Sequence, residues 1–236
     1  MKTLRRLVFL GAAALLQAGC GLPDTYFLQP PSPGILAPGN GWFEFSNPIH
    51  DANHDINATF LGNELYYKFY ADSTVDKNAY DPNNPSDASV QLLAKGFFPV
   101  CLSTDQSPNR SVPLIAIDSI LAAAGSTVVV NVQPAFASTL TNYVLETDPP
   151  AEIRRKAPEP LIPSDYKTFQ DNQKSPPHNF AINDPDIGLT LYNQMNLSGL
   201  TYVVMYAISY GETIGNQTPV RSSAIYLGYL SFTFFP

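Results

Sequence analysis

Short apolar, aromatic and β-branched runs alternate along this chain with long polar stretches rich in Pro, Asn, Asp and Ser. Glu64 to Tyr70 alternates with a period of two: Leu65, Tyr67 and Phe69 share one face of a strand, and Tyr66, Lys68 and Tyr70 the other. Trp42-Phe43-Glu44-Phe45 is a short aromatic strand, and Thr127 to Val132 is a β-branched one. Tyr202 to Tyr210 is apolar on both faces, which only a covered central strand tolerates. Ser223 to Phe234 forms the last strand, with Ile225, Leu227 and Tyr229 on one face. The link Gly211 to Ser222 holds Gly215-Asn216 and Pro219 and suits a hairpin longer than the two-residue kind, so these last two strands should be neighbours in one sheet.

Between the strands, Asp72 to Ser89 is dense in turn formers and reads as a loop, and Val90 to Ala94 as a helical turn. Ile115 to Ala124 fits either helix or strand; Ala122-Ala123-Ala124-Gly125 favours a short helix ending at glycine. Asp148 to Lys174 is rich in Pro and charge, and neither an internal repeat nor a heptad pattern occurs. The expected fold is mainly β: an antiparallel β-sandwich with long loop insertions and few short helices. It forms a single domain over 41–236, with an insertion around 72–175.

The N-terminus carries different information. Lys2, Arg5 and Arg6 precede an apolar run from Leu7 to Leu16, followed by Gln17-Ala18-Gly19-Cys20. Cations, a run too short to span a bilayer, and small residues make an export signal over 1–19. Leu16-Gln17-Ala18-Gly19-Cys20 resembles a lipobox, with Gln17 in place of the usual small or apolar residue, as in the relaxed spirochaetal form. That resemblance implies a diacylglyceryl group on the Cys20 thiol and cleavage before it. Each buried lipid methylene contributes about 0.8 kcal/mol, so two or three chains hold firmly. Residues 20–40, with Pro30-Pro31-Ser32-Pro33-Gly34 and Pro38-Gly39, read as a lipidated tether, the alternative for Tyr26-Phe27-Leu28 being a loop packed on the domain.

Without the three signal cations, 10 of the 13 Lys and Arg remain against 20 Asp and Glu, a formal net charge of −10. That balance argues against nucleic acid as a partner and against a polybasic membrane patch, leaving the lipid on Cys20 as the membrane anchor. The chain has two cysteines; with Cys20 acylated, Cys101 has no intramolecular partner, and the domain should fold without a disulfide. Cys101 lies in Phe98-Pro99-Val100-Cys101-Leu102 and reads as a buried, inert thiol.

Resemblances extend into the body of the chain. Leu197-Ser198-Gly199-Leu200-Thr201-Tyr202 approaches a tyrosine corner, one residue shorter than usual, so the C-terminal part resembles fibronectin type III or immunoglobulin-like domains. Gly62 to Tyr70, Tyr206 to Gly211 and Ser223 to Tyr229, with Arg154-Arg155 and Tyr166-Lys167-Thr168-Phe169 between them, resemble a family of uncharacterised spirochaetal lipoproteins. The resemblance implies location and fold, and supplies no catalytic residues.

Candidate chemistry is sparse. Asp51-Ala52-Asn53-His54-Asp55-Ile56-Asn57 places oxygen donors at alternate positions, as a calcium loop does, but Ile56 and Gly62 stand where such a loop needs glycine and an acid. An Asx-rich turn or a helix start is the simpler reading. His50 and His54 are spaced for a metal on a helix, yet His178 is the one further histidine, so no metal is assigned. Asn183-Asp184-Pro185-Asp186 reads as a turn. Nucleophile-elbow, phosphate-loop, dinucleotide and zinc-protease motifs do not occur, so no catalytic residue and no cofactor is assigned. The expectation is a lipid-anchored lipoprotein of the bacterial cell envelope, on the inner or outer membrane. It would act as a binding or structural module that meets a protein or glycan through loops or tyrosines. The alternatives are an envelope hydrolase acting on carbohydrate or peptide and a solute-binding lipoprotein. A deep pocket of convergent carboxylates would favour the first of these, and a shallow tyrosine patch the binding module.

Overall fold

The computed structural model describes residues 28–34, 42–46, 58–102, 115–116, 127–131, 153–154, 180, 182, 184 and 186–234. Its strands are β1 (Ser32–Pro33), β2 (Trp42–Ser46), β3 (Ala58–Tyr70), β4 (Phe98–Pro99), β5 (Cys101–Leu102), β6 (Ile115–Ala116), β7 (Thr127–Asn131), β8 (Ile153–Arg154), β9 (Leu200–Thr213), β10 (Pro219–Arg221) and β11 (Ile225–Thr233). Two helices, α1 (Ala88–Ala94) and α2 (Gly188–Ser198), complete the described elements. The protein is thus mainly β, and its strands pair antiparallel throughout.

β3 and β9 form the spine, paired from Ala58↔Thr213 to Tyr70↔Tyr202 with a one-residue bulge between Phe60 and Gly62. The far edge of β9 is shared by β10, at Glu212 to Tyr210, and then β11, from Ala207 to Leu200. β4 and β6 line the far edge of β3, giving six strands with β9 and β3 in the middle. β9 is central and buried on both faces, as its two-sided apolar pattern requires. Gly211 is needed where the spine is tightest: a Cβ there would stand 2.2 Å from the Thr59 carbonyl oxygen.

The two faces of this sheet bury different partners. Leu65, Tyr67 and Phe69 of β3, with Val203 and Met205 of β9, share one core with Phe43 and Phe45 of β2 and Val128 and Val130 of β7. The sheet β1-β2-β7 therefore packs on this face. On the other face, Tyr66, Val204, Tyr206 and Ile208 are covered by Val75, Ala79, Ala88, Leu92 and Phe97. Most of Asp72 to Ser89 is a loop, but α1 begins within it at Ala88, because the Asp87 carboxylate accepts the Ser89 N–H at 2.8 Å and caps the helix. The helix closes at Lys95, and Gly96 after it is left-handed, with a φ of 77°. There Gly96 N–H donates to Leu93 O and Phe97 N–H to Leu92 O, each at 3.0 Å, and Phe97 and Leu92 enter the same core.

Several expectations change. Tyr229 does not share a face with Ile225 and Leu227: the ladder slips by one residue between Tyr226 and Gly228, so Tyr229 joins Tyr226 beside the second core while Leu227 and Leu230 enter the first. Leu197 and Ser198 close α2, and Gly199 is its left-handed cap at φ 68°; a helix end stands where a tyrosine corner was expected before Tyr202. Ile115–Ala116 is strand, paired to Asn63 and Gly62; the rest of 117–125 lies outside the described residues. Within the expected tether, Leu28 is buried, as the packed-loop alternative had it, and Ser32–Pro33 pairs with β2, so Leu28 to Gly34 belong to the body.

Candidate functional site

Pairing across β3, β9 and β11 lines up tyrosines on the face that the 72–97 segment covers. Tyr70 lies opposite Tyr202, Tyr66 opposite Tyr206, and Tyr226 opposite Tyr206 from the other side. Tyr206 is buried: its ring meets Phe97 edge-on at 5.2 Å, and its hydroxyl oxygen accepts the Ala79 N–H at 3.2 Å. Tyr70, Tyr202, Tyr226 and Tyr229 are half-buried around it, with Tyr202 and Tyr229 rings 6.1 Å apart and Tyr206 and Tyr226 5.5 Å apart. They form an aromatic layer across three strands, a shelf in which the Tyr70 and Tyr226 hydroxyls are buried.

The rim of the shelf is charged and locally stiff. Lys68 Nζ donates to the Lys95 carbonyl at 2.6 Å and lies 5.4 Å from the Tyr70 ring centre; Lys77 Nζ lies 5.9 Å from that of Tyr229. Burial holds the Lys68 amine below the usual lysine pKa, partly offset by Asp76. The covering loop is pinned by its own side chains. The carboxylates of Asp72, Asp76 and Asp81 accept the N–H of Thr74, Asn78 and Asn83 at 2.8, 2.9 and 2.9 Å, and buried Gln91 donates to Ser86 O at 2.8 Å while accepting the Asp81 N–H at 3.0 Å.

Burial pushes the Tyr70 and Tyr226 hydroxyls up to about 12 and raises Tyr206 as well. Folding thus favours the neutral phenols. The stability they contribute is fully present below the unfolded pKa of 10.0 and is lost as pH climbs from there toward about 12. Ultraviolet tyrosinate absorbance should therefore show a late-titrating group, rising together with alkaline unfolding. Complete ionisation near the free value, with the fold intact, would contradict this burial.

A second polar cluster lies where β3, β10 and α1 meet. Arg221 holds the Glu64 carboxylate with both arms, Nε to Oε2 at 2.8 Å and Nη2 to Oε1 at 3.1 Å, and the Tyr66 hydroxyl donates to Oε2 at 3.0 Å. Arg221 also lies 3.9 Å from an oxygen of Asp87 and over the Tyr210 ring at 5.2 Å. Glu64 is only 4% exposed, so its carboxylate ties β3 to β10 from inside the protein, and Arg221 extends the link to Asp87 at the start of α1.

The residues singled out from sequence fall apart in space or outside view. Cys20, His50, Asp51 to Asn57, His54, Arg155, Tyr166 to Phe169 and His178 lie outside the described residues. Cys101 is in β5, opposite Arg154 of β8. Asp184 leads a turn into α2, accepting the Ile187 and Gly188 N–H groups on its carbonyl at 3.2 Å; but Asp184 and Asp186 are both buried, and Asp186 accepts the Tyr67 hydroxyl at 2.6 Å, more than a surface turn provides. Among the described residues, no three His, Cys, Asp or Glu gather to hold a metal ion, and no helix is long and apolar enough to cross a membrane. The tyrosine face of β3 was legible as a period-two run, and β9 as a strand apolar on both faces. The Glu64–Arg221 pair carried no signal, since its partners are 157 positions apart.

No protein-family model, no curated protein and no solved structure matches this chain.

Proposed function

We propose that the protein is a lipid-anchored lipoprotein of the bacterial cell envelope whose tyrosine shelf binds a glycan. The shelf carries this reading. The part-exposed Tyr202 and Tyr229 rings, at the margin of the face that the 72–97 segment covers, can meet the C–H faces of sugar rings. The Tyr202 and Tyr229 hydroxyls and Lys77, which lies over the Tyr229 ring, can take the sugar hydroxyls. The stiff loop fixes the rim before any ligand arrives, which lowers the ordering cost of binding. The anchor is read from the lipobox-like run ending at Cys20, and the spirochaetal lipoprotein likeness from the segments around β3, β9 and β11. We read the two packed sheets as a β-sandwich of the fibronectin type III or immunoglobulin-like kind.

The test pairs Tyr202→Ala with Tyr229→Ala on a panel of purified envelope polysaccharides and peptidoglycan fragments. The native protein should bind at least one of them, and the double variant should lose at least about tenfold in affinity, each stacked ring contributing about 1 kcal/mol beyond its buried area. Equal binding by native and variant protein would remove the shelf from the site, and binding of an extended peptide instead would move the reading to a protein partner. Cys20→Ser should abolish labelling by a fatty-acid probe in cells; continued labelling excludes the anchor.

A further inference from the structure

We infer that the β9–β10 turn is a membrane-contacting tip, with Ile214 entering the headgroup boundary of the bilayer that carries the lipid on Cys20. The inference rests on the lipoprotein reading above. Its starting point is where the N-terminal segment docks. Leu28 is 3% exposed, and its Cδ1 lies 3.1 Å from the place a Gly211 Cβ would occupy, at the Thr59–Gly211 end of the spine. Eight Cα steps separate Cys20 from Leu28, and a fully extended chain spans at most ~3.6 Å per residue, so Leu28 stays within about 29 Å of the lipidated residue whatever the path between them.

That limit sets the orientation. Leu200, at the other end of β9, is eleven strand steps from Gly211, about 37 Å at ~3.4 Å per residue. With its strands upright, the body cannot stand inverted on the membrane, Leu200 down and Leu28 up, because the connection is too short. In an upright body the end that rests on the bilayer is therefore the one beyond Gly211. It finishes in Ile214-Gly215-Asn216-Gln217-Thr218, an uncharged tip in a chain with 20 acids. Ile214 is 60% exposed there. The tip is also firm: Thr213 N–H donates to Thr218 O at 2.9 Å, Gln217 N–H to Thr213 O at 3.1 Å, and Thr218 N–H to the Thr213 hydroxyl at 3.0 Å. Among the described residues of this turn and the strand ends flanking it, the one carboxylate, Glu212, accepts the Tyr210 hydroxyl at 3.3 Å. A rigid, neutral turn with an exposed isoleucine suits the boundary between headgroups and acyl chains, where the covalent lipid supplies the affinity and the tip the orientation. Tyr70 and Tyr202 are then at the far end of the sheet, facing away from the membrane.

The exposed Leu197, at 88%, lies next to the opposite end of β9 and is the rival contact. Two single-tryptophan forms of the lipidated mature chain separate them: Trp42→Phe with Ile214→Trp, and Trp42→Phe with Leu197→Trp. Each is reconstituted in phosphatidylethanolamine–phosphatidylglycerol vesicles containing lipids brominated near the top of the acyl chain. Quenching should be at least about threefold stronger at position 214, a depth of ~5–10 Å being within range of such bromines. Equal quenching, stronger quenching at 197, or none at either position overturns the inference. A second arm couples the unacylated 20–236 chain, carrying Cys101→Ser, through Cys20 to a maleimide lipid in the same vesicles. If the N-terminal peptide from cells bears no acyl group, the lipoprotein reading fails; the coupled vesicles still report which end of the body meets the bilayer.

Discussion

Val203→Asp is expected to unfold the protein under conditions where the native chain is folded, costing about 4–5 kcal/mol or more against a usual total of ~5–15. Val203 is fully buried in β9, between Phe69 of β3 and Leu230 of β11, and all three face the same apolar core. A carboxylate there meets no cation and loses its water, so it must either stay charged at great cost or take up a proton. Val204→Asp, one residue on, should also be severe but less so. Val204 is equally buried, but its partner across the ladder is Lys68. Pairing with the new carboxylate would draw that amine away from the Lys95 carbonyl and the Tyr70 and Phe97 rings, so compensation is partial. Lys77→Ala, on the exposed loop, should move stability by no more than about 0.5 kcal/mol. Denaturant melts with unchanged midpoints for Val203→Asp would show that β9 is not the centre of the core.

What could be read in the sequence follows from how local each cause is. The period-two run from Leu65 to Tyr70 placed each side chain on the face it occupies, because the β3 ladder is unbroken there. The same logic misplaced Tyr229, since periodicity assumes an unbroken ladder and Gly228 sits at a bulge with φ 109°. A glycine within a strand was the available warning. α2 was missed entirely: Gly188 to Ser198 is mostly exposed, has no side-chain N-cap and buries Met195, so no apolar stripe announces it. α1 is only 7 residues long and would not persist alone; the legible signal was its punctuation, Asp87 before it and Gly96-Phe97 after it. The tyrosines of the candidate site were visible as residues, but their assembly into a shelf required the register of three strands.

The Glu64–Arg221 pair is the other place where a single change should be costly. Arg221→Ala is expected to destabilise by about 3–5 kcal/mol, most of it the penalty of leaving a buried carboxylate with one hydroxyl partner rather than the worth of the pair. Glu64 is 4% exposed and keeps only the Tyr66 hydroxyl once the guanidinium is gone. Arg221→Lys should fall between, because an ammonium cannot hold both carboxylate oxygens as the Nε and Nη2 arms do. The decisive variant removes both charges. Glu64→Leu with Arg221→Leu should recover most of the loss, to within about 1–2 kcal/mol of the native protein, since an ion pair taken out of water contributes little net stability. Arg221 also reaches Asp87, which caps α1, so its loss should raise hydrogen exchange in α1 and the 72–87 loop before it affects the β3–β9 ladder. If Arg221→Ala proves as stable as the native chain while the double variant does not, Glu64 finds water or another partner in solution, and the carboxylate is more accessible than its buried position indicates.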